Sequence, residues 1–520
     1  MTLAEDNATA PTPTAASEAR PPERTVLRIV GGLLLSALSG VLAGVSFEGF
    51  HIWPFIWFAF VPALVAQYHV LPRRWSGLGL GVAVGIMFQI YLGPGLADGD
   101  VGWYLKIYGF WIAIIVALLV GRSRSFQERT DYRWFLISGP LAWVALDFLR
   151  TTATEVAGGT WGMVAYAMYD RPGFLQPVSV FGIHGLNLLI LLSNWALGGL
   201  VLAKLQHRRP AWSPVAIPWR RAVAWFGVVA MLVVAWGVSS EAMIRHPAAT
   251  VRVAAIQPGS WTQSRGTITP AVELQHDIAQ TRQAAAEGAK LIVWREAGLK
   301  FDPTTSPRGA VIAHLARSTH TYIAAGWYAV ENGKRLNEVA TFAPNGKLLG
   351  TYGKTHPGTF AGDYSDWRGH YIVYRAPFGS FGSIICFDLD FLDSARAVAK
   401  LGAQIIAVSS NDVQGIADKH YTHLVFRAIE TRMSAVKADS TYDSAAIDPY
   451  GRILDRHVTR DGSAYTLVAD VPLGSGKTFY VKHGDWLGWL AVIAAAAFAL
   501  LSVATRLRRR RVGAAGSSGG

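Results

Sequence analysis

The chain has 520 residues, which is room for two or more folding units, since single cores rarely grow past about 250–300 residues. Hydrophobic residues make up 51% of it and charged residues only 16%, and there are 19 tryptophans, a composition that excludes one water-soluble globule and fits a membrane chain. The net charge of +13 would suit nucleic acid, but the arginines gather at the ends of apolar segments and no interleaved aromatic-basic patch occurs, so the partner they point to is a bilayer.

Residues 1–24 are rich in Ala, Thr, Pro and Glu without apolar period and read as a disordered cytoplasmic leader. A seven-span membrane domain is expected over 25–245, because seven apolar stretches approach the ~20 residues needed to cross a ~30 Å hydrocarbon core. They lie near 27–47, 52–71, 76–96, 104–121, 134–150, 176–203 and 222–242, and an eighth, near 485–505, falls in the segment 481–506. The tail 507–520 is basic, then Gly-rich, and is expected in the cytoplasm; its final "GAAGSSGG" reads as disordered. Alternate loops are basic, at Arg73 and Arg74, at Arg122 to Arg133, at Lys204 to Arg221, and at 506–511, while the opposite loops carry Glu48, Asp98 and Asp100. This charge bias puts both termini in the cytoplasm and the region 246–480 outside it. The small residues of "ALSGVLAGVS" offer a cleavage site after the first span, but cleavage would leave the large region on the same side.

In that external region, β-type runs such as "VRVAAIQ", "KLIVW", "GSIICF" and "AQIIAVSS" alternate with helical-period stretches, the pattern of an α/β domain whose strands are covered on both faces. Three strand ends carry chemistry: Glu296 in "LIVWREAG", Lys354 in "TYGKTHPGTFAGDY", and Cys386, the single cysteine, in "IICFDLD". Taken one at a time, a free cysteine is usually a small hydrophobe, and a strand-end Glu or Lys a solvated charge. Brought together they would form an acyl-transfer apparatus. Glu296 would take the thiol proton, an adjacent cation would lower the thiol pKa, and Lys354 would stabilise the oxyanion.

Glu in "VWREAG", Lys in "YGKTH" and Cys in "IICFD", in that order, resemble the Glu-Lys-Cys triad of the nitrilase, or carbon-nitrogen hydrolase, superfamily. With seven spans before the domain and one after it, the chain resembles the apolipoprotein N-acyltransferase family, and "LSGVLAGVSFEGF", "WVALDFLRTT" and "FLQPVSVFGIHGLNLLILLSN" are similar to that family's membrane half. The resemblance implies a multi-span α-helical membrane domain joined to an αββα nitrilase-like sandwich in a bacterial cytoplasmic (inner) membrane, with the catalytic domain on the periplasmic side. It implies that Cys386 carries an acyl chain as a thioester from a phospholipid to the N-terminal amine of a diacylglyceryl lipoprotein, with Glu296 as base and Lys354 at the oxyanion. It also assigns supporting or substrate-binding places to Asp388, Phe387 and Asp363, with no cofactor or metal.

Departures accompany the resemblance. Arg295 replaces Pro beside the base, where a cation would lower its pKa; Asp363 stands one position later and one methylene shorter than the family's second Glu; "GTWG" at 159–162 replaces a Phe-Pro-Trp-like turn. Trp261 is a candidate for the substrate groove, and Glu430, one turn after Arg427, for bracing the site. Asp147 and Arg150 are expected to pair with each other. His420 and His423 match no complete metal-ligand set and read as solvated helix residues. Two rivals keep the same residues: a membrane-bound amidase or an acyltransferase for another amine, and a non-catalytic scaffold.

Overall fold

The computed structural model describes residues 22–98, 102–153, 158–209, 212–213, 215–245, 249–259, 269–366, 369–460 and 462–517. Most of the leader, and Trp261, lie outside the described residues. The membrane half contains helices α1 (Pro22–Gly44), α2 (Leu78–Asp98), α3 (Tyr108–Val120), α4 (Phe135–Ala153), α5 (Val178–Arg208) and α6 (Trp219–Met243). Between α1 and α2 the chain crosses over Trp53–Val70 in short 3-10, α and π turns. Small residues bring α2 and α3 together: a Cβ on Gly85 would stand 2.4 Å from the Gly109 carbonyl oxygen, so the two backbones touch where lipid supplies no hydrophobic drive.

Among the described residues, seven segments are long and apolar enough to cross a membrane: Thr25–Gly44, Trp53–Val70, Arg73–Ala97, Tyr108–Arg129, Val178–Arg208, Trp219–Met243 and Trp486–Arg509. The expected fifth span, 134–150, is the helix α4, yet it is not among these seven. Pro140, Asp147 and Arg150 dilute its apolar character, and it packs on α5 and on the last helix instead of standing alone in lipid. Asp147 and Arg150 pair as expected, Nε to Oδ1 at 3.0 Å.

Among the described residues, twelve strands form two six-stranded sheets. They are β1 (Thr250–Gln257), β2 (Leu291–Trp294), β3 (Tyr322–Glu331), β4 (Lys334–Phe342), β5 (Leu348–Gly353), β6 (Val373–Ala376), β7 (Gly379–Ile385), β8 (Ile405–Ser409), β9 (Ser434–Ala438), β10 (Asp443–Ile447), β11 (Ile453–Val458) and β12 (Tyr465–Pro472). The orders β12-β1-β2-β3-β4-β5 and β11-β10-β9-β8-β7-β6 each centre on three parallel strands, β1-β2-β3 and β7-β8-β9, flanked by antiparallel ones. Alternation along β1 explains the layers. Val251, Val253 and Ala255 face the second sheet's Phe381, Ile405 and Val436, while Ala254 and Ile256 face outward under α7 (Pro270–Ala286) and α8 (Gly309–Thr319).

The outward face of the second sheet, with Ile384, Ile406 and Ala435, is covered by α9 (Ser394–Lys400) and α10 (Gln414–Thr431). That layer is continuous with the membrane helices, so the αββα sandwich shares one of its outer cores with the spanning half. The chain leaves through α11 (Trp486–Ser517), which runs as one helix beyond the expected span and through the arginine run, so residues 513–517, read as disordered, instead continue the helix.

Candidate functional site

Both sheets deliver residues to one place. Glu296 follows β2 and Lys354 follows β5 in the first sheet; Cys386 follows β7 in the second. At Ala297 (φ 51°) and at Cys386 (φ 42°) the backbone takes the left-handed region that non-glycine residues avoid, and each of these bends turns the chain sharply off its strand. Lys354 Nζ lies 2.7 Å from Glu296 Oε1 and 2.6 Å from Asp363 Oδ2, and all three are largely shielded from solvent. Asn337, on β4, donates through Nδ2 to Glu296 Oε1 at 2.7 Å and to Asp363 Oδ1 at 3.1 Å, closing a ring around the ammonium. Although displaced along the loop and shorter than Glu, Asp363 therefore reaches the lysine.

Asp388 ties the bend at Cys386 to the lysine's loop. Its Oδ2 accepts from the Ile385 N–H (3.0 Å) and the Tyr352 hydroxyl (2.8 Å), and its Oδ1 accepts from the N–H groups of Thr355 (3.1 Å) and His356 (2.7 Å). Four donors on one buried carboxylate fix the position of Cys386 relative to Lys354. Phe387 stands edge-on to Phe360 and to Phe391 and joins the cavity wall.

The electrostatics differ from expectation at two points. Burial pushes the Cys386 thiol well above its ordinary pKa and the Glu296 charge adds to this, with Lys354 offsetting only part; the adjacent cation does not yield a resting thiolate. Burial likewise raises the Glu296 carboxyl against the pull of Lys354. Arg295 does not depress it, because that guanidinium turns away to Glu273, Nη2 to Oε2 at 3.1 Å. Burial alone would lower Lys354, but Glu296, Cys386 and Asp363 together hold it well above its usual value, so it stays an ammonium.

A second buried cluster adjoins the thiol. Cys386 Sγ lies 3.5 Å from Asp412 Oδ1, and Asp412 also accepts from His420 Nδ1 at 2.8 Å and Lys437 Nζ at 2.7 Å. His420 and His423 are thus not solvated; both are fully buried, on the face of α10 turned to Trp161 and Tyr166 of the membrane half. Cys386, Asp412 and His420 present one ligand-type atom each within 4.8 Å of one another, the donor types a transition metal takes. Those atoms already bond to each other and to Lys437.

Glu430 does not reach the site. Its Oε1 accepts from the Ile183 N–H at 2.9 Å and its Oε2 pairs with Arg427 at 2.8 Å, at the seam with α5. The "GTWG" turn reaches across the same seam nearer the thiol: the Thr160 N–H and hydroxyl both donate to the Asp390 carbonyl, at 2.9 and 3.0 Å.

A cavity of about 600 Å³ opens over these groups. Glu296, Lys354, Cys386 and Asp412 form its polar floor, whereas Phe88, Leu92 and Leu96 of α2, with Leu105 and Tyr108 beside them, form an apolar wall borne by the membrane half.

The fold and this arrangement define the class: a membrane-spanning protein that carries a carbon-nitrogen hydrolase domain. The Carbon-nitrogen hydrolase family model matches residues 252–479, and the model of the Apolipoprotein N-acyltransferase N-terminal domain matches residues 39–196. The apolipoprotein N-acyltransferase of Geobacter metallireducens is 29% identical over 511 residues, covering 90% of this chain and 95% of the relative, and that of Thermotoga maritima is 24% identical over 523 residues, covering 92% and 95%. A solved amidase from Nesterenkonia sp. aligns with a TM-score of 0.38 at 18% identity, over 46% of this chain and 94% of its own. Over about nine tenths of its length the chain is similar to apolipoprotein N-acyltransferases, and it joins the two domains whose family models it matches.

Proposed function

We propose that this protein N-acylates lipoproteins at the outer face of a bacterial cytoplasmic membrane. In this reading residues 246–480 are the external catalytic domain, 25–245 and the helix of 481–506 anchor it, and the two ends are cytoplasmic. The observation that carries the reading is the composite cavity. Its floor holds a thiol, a carboxylate and an ammonium, and its wall is made of apolar side chains from the spans, which suits a lipid chain entering from the bilayer.

Glu296 takes the Cys386 thiol proton, and the sulfur attacks the ester carbonyl carbon of a phospholipid. Lys354 stabilises the oxyanion. The C–S bond forms, the ester C–O bond breaks, and the departing alkoxide takes the proton from Glu296 as lysophospholipid leaves. The N-terminal amine of a diacylglyceryl-cysteine peptide then attacks the thioester. A C–N bond forms, the C–S bond breaks, and the amine proton passes through Glu296 back to the thiolate. The raised carboxyl suits this exchange, because a base with a pKa nearer neutrality both accepts and returns a proton.

Competition tests the proposal. Purified protein with a defined phospholipid receives a diacylglyceryl peptide, a small amine and water together. Preferential N-acylation of the peptide, absent in Cys386→Ser, is expected. Preferential hydrolysis or transfer to the small amine would establish the amidase or alternative-acceptor reading instead.

A further inference from the structure

Resting on the reading of Cys386 as nucleophile, we propose that Asp412 is a positioning residue for that thiol, itself held in place by His420 and Lys437. It comes from the loop after β8, the strand hydrogen-bonded parallel to the one that carries the cysteine. The thiol donates to Asp412 Oδ1 at 3.5 Å, which fixes where the sulfur points before any lipid arrives.

Asp412 cannot itself be the base. The Ser410 hydroxyl donates to its Oδ1 at 3.0 Å, His420 Nδ1 reaches both oxygens at 2.8 and 2.9 Å, and Lys437 Nζ, from β9, lies 2.7 Å from Oδ2. Two cations and a hydroxyl on one fully covered carboxylate leave no tendency to take up a proton. Glu296 has a single cation to share with Asp363, and its carboxyl is raised. Two carboxylates beside one sulfur, with environments that drive their proton affinities apart, divide the work: Glu296 moves the proton and Asp412 aims its donor. His420 is itself bracketed, since Nε2 lies 3.4 Å from Asp390 Oδ1, so its charge is supported from both sides.

The charged and titratable groups around the thiol are Glu296 after β2, Lys354 after β5 with Asp363 behind it, Asp388 on its own turn, and Asp412 with His420 of α10, Lys437 of β9, Asp439 on the far side of Lys437 and Asp390 behind His420. Within that set Asp412 opposes thiolate formation and the His420 imidazolium assists it. Their removal should therefore act in opposite directions.

Cys386 is the single cysteine, so iodoacetamide labelling followed by intact mass reads this thiol alone and needs no lipid substrate. The pH profile of labelling is compared in the full-length protein, Asp412→Asn and His420→Gln. The midpoint should fall by about 1 on the pH scale in Asp412→Asn and rise in His420→Gln, whose amide still donates to the carboxylate but carries no charge. A purely structural role would leave the profiles in place or move both the same way, and either result overturns the proposal. If Asp412→Asn does not give folded protein, His420→Gln decides alone: a midpoint that stays or falls refutes it. Because labelling is independent of acyl transfer, failure of the transferase reading would leave this result interpretable.

Discussion

The two sheets of the sandwich are built alike and finished differently. Each has three parallel strands at its centre, yet the first is roofed by its own helices α7 and α8, through residues such as Leu274, Ile278, Ile312 and Leu315, whereas the roof of the second merges with the membrane core. Glu296 and Lys354 come from the self-contained sheet; Cys386 comes from the sheet fused to the spans. The thiol is thereby fixed relative to the membrane half, and Glu296 and Lys354 reach the same cavity from the other sheet. At the seam, Gly182 breaks the start of α5 with φ 63°, a position where a Cβ would press on the Tyr480 ring at 2.7 Å. The N–H of the next residue, Ile183, is accepted by Glu430 of α10. The same helix holds His420 and His423 against the site, so one helix connects the membrane half to the surroundings of Cys386.

Removing Lys354 tests the contribution of the first sheet most severely. Lys354→Met should cut acyl transfer by about 10²–10³, since it deletes an oxyanion donor and leaves Glu296 and Asp363 facing each other without a cation; steady-state rates measure it. A fall of only a few fold would show that the oxyanion is stabilised elsewhere.

Next come paired stability variants that separate the two roofs. Glu430→Ala leaves Arg427 buried without its partner and should cost about 3–5 kcal/mol, with transfer activity lost alongside stability because the seam positions the nucleophile. Ile312→Ala, in the roof of the first sheet, should cost about 2–5 kcal/mol while the folded fraction keeps its turnover. Denaturation in detergent with activity assayed below the transition checks both. Equal effects on turnover would erase the distinction between the roofs.

A subtler change probes the wall that the spans contribute. Leu92→Trp fills part of the cavity from α2 and should shift the preference toward shorter acyl chains by about 10-fold in kcat/KM, measured with donors of graded chain length. An unchanged preference would mean that the chain lies elsewhere.

A further contrast concerns pH. Burial would lower His420, but Asp412 and Asp390 raise it to about 10, against about 6.5 in an unfolded chain. The folded protein therefore binds the extra proton between these values. The contribution to stability is complete below about pH 6.5 and is lost as the pH rises through about 10. The melting temperature should decline across that window, and the decline should flatten in His420→Gln. A native melting profile that is flat over the same range would contradict the sign.

Much of this was legible in the sequence, because strand ends and apolar runs are local signals. Glu296, Lys354, Cys386 and Asp388 each sit within a few residues of a short β-type run, and the structure brings all four together. What escaped depends on packing between distant segments. Asn337 lies in the middle of β4 with nothing in its local sequence to mark it. His420 and His423 read as solvated because a helix that buries one face against the second sheet and another against membrane helices leaves no amphipathic pattern from which to infer the second face. Asp412 had the strand-end position that singled out the other three, in "VSSND", and that signal would have found it. Arg295 misled in the opposite way: it is adjacent to Glu296 in sequence, but the chain has left β2 and turns there, so its guanidinium goes to Glu273 instead.

If Cys386 carries the acyl group, the protein must become acylated before any acceptor is present. Intact mass spectrometry of the purified protein, incubated with a defined phospholipid and no acceptor, reads this, with Cys386→Ser alongside. A single added acyl mass is expected on the native protein, released by hydroxylamine and absent from the variant. Folded native protein that turns over an acceptor while never showing that adduct, or an adduct that persists in Cys386→Ser, would contradict it.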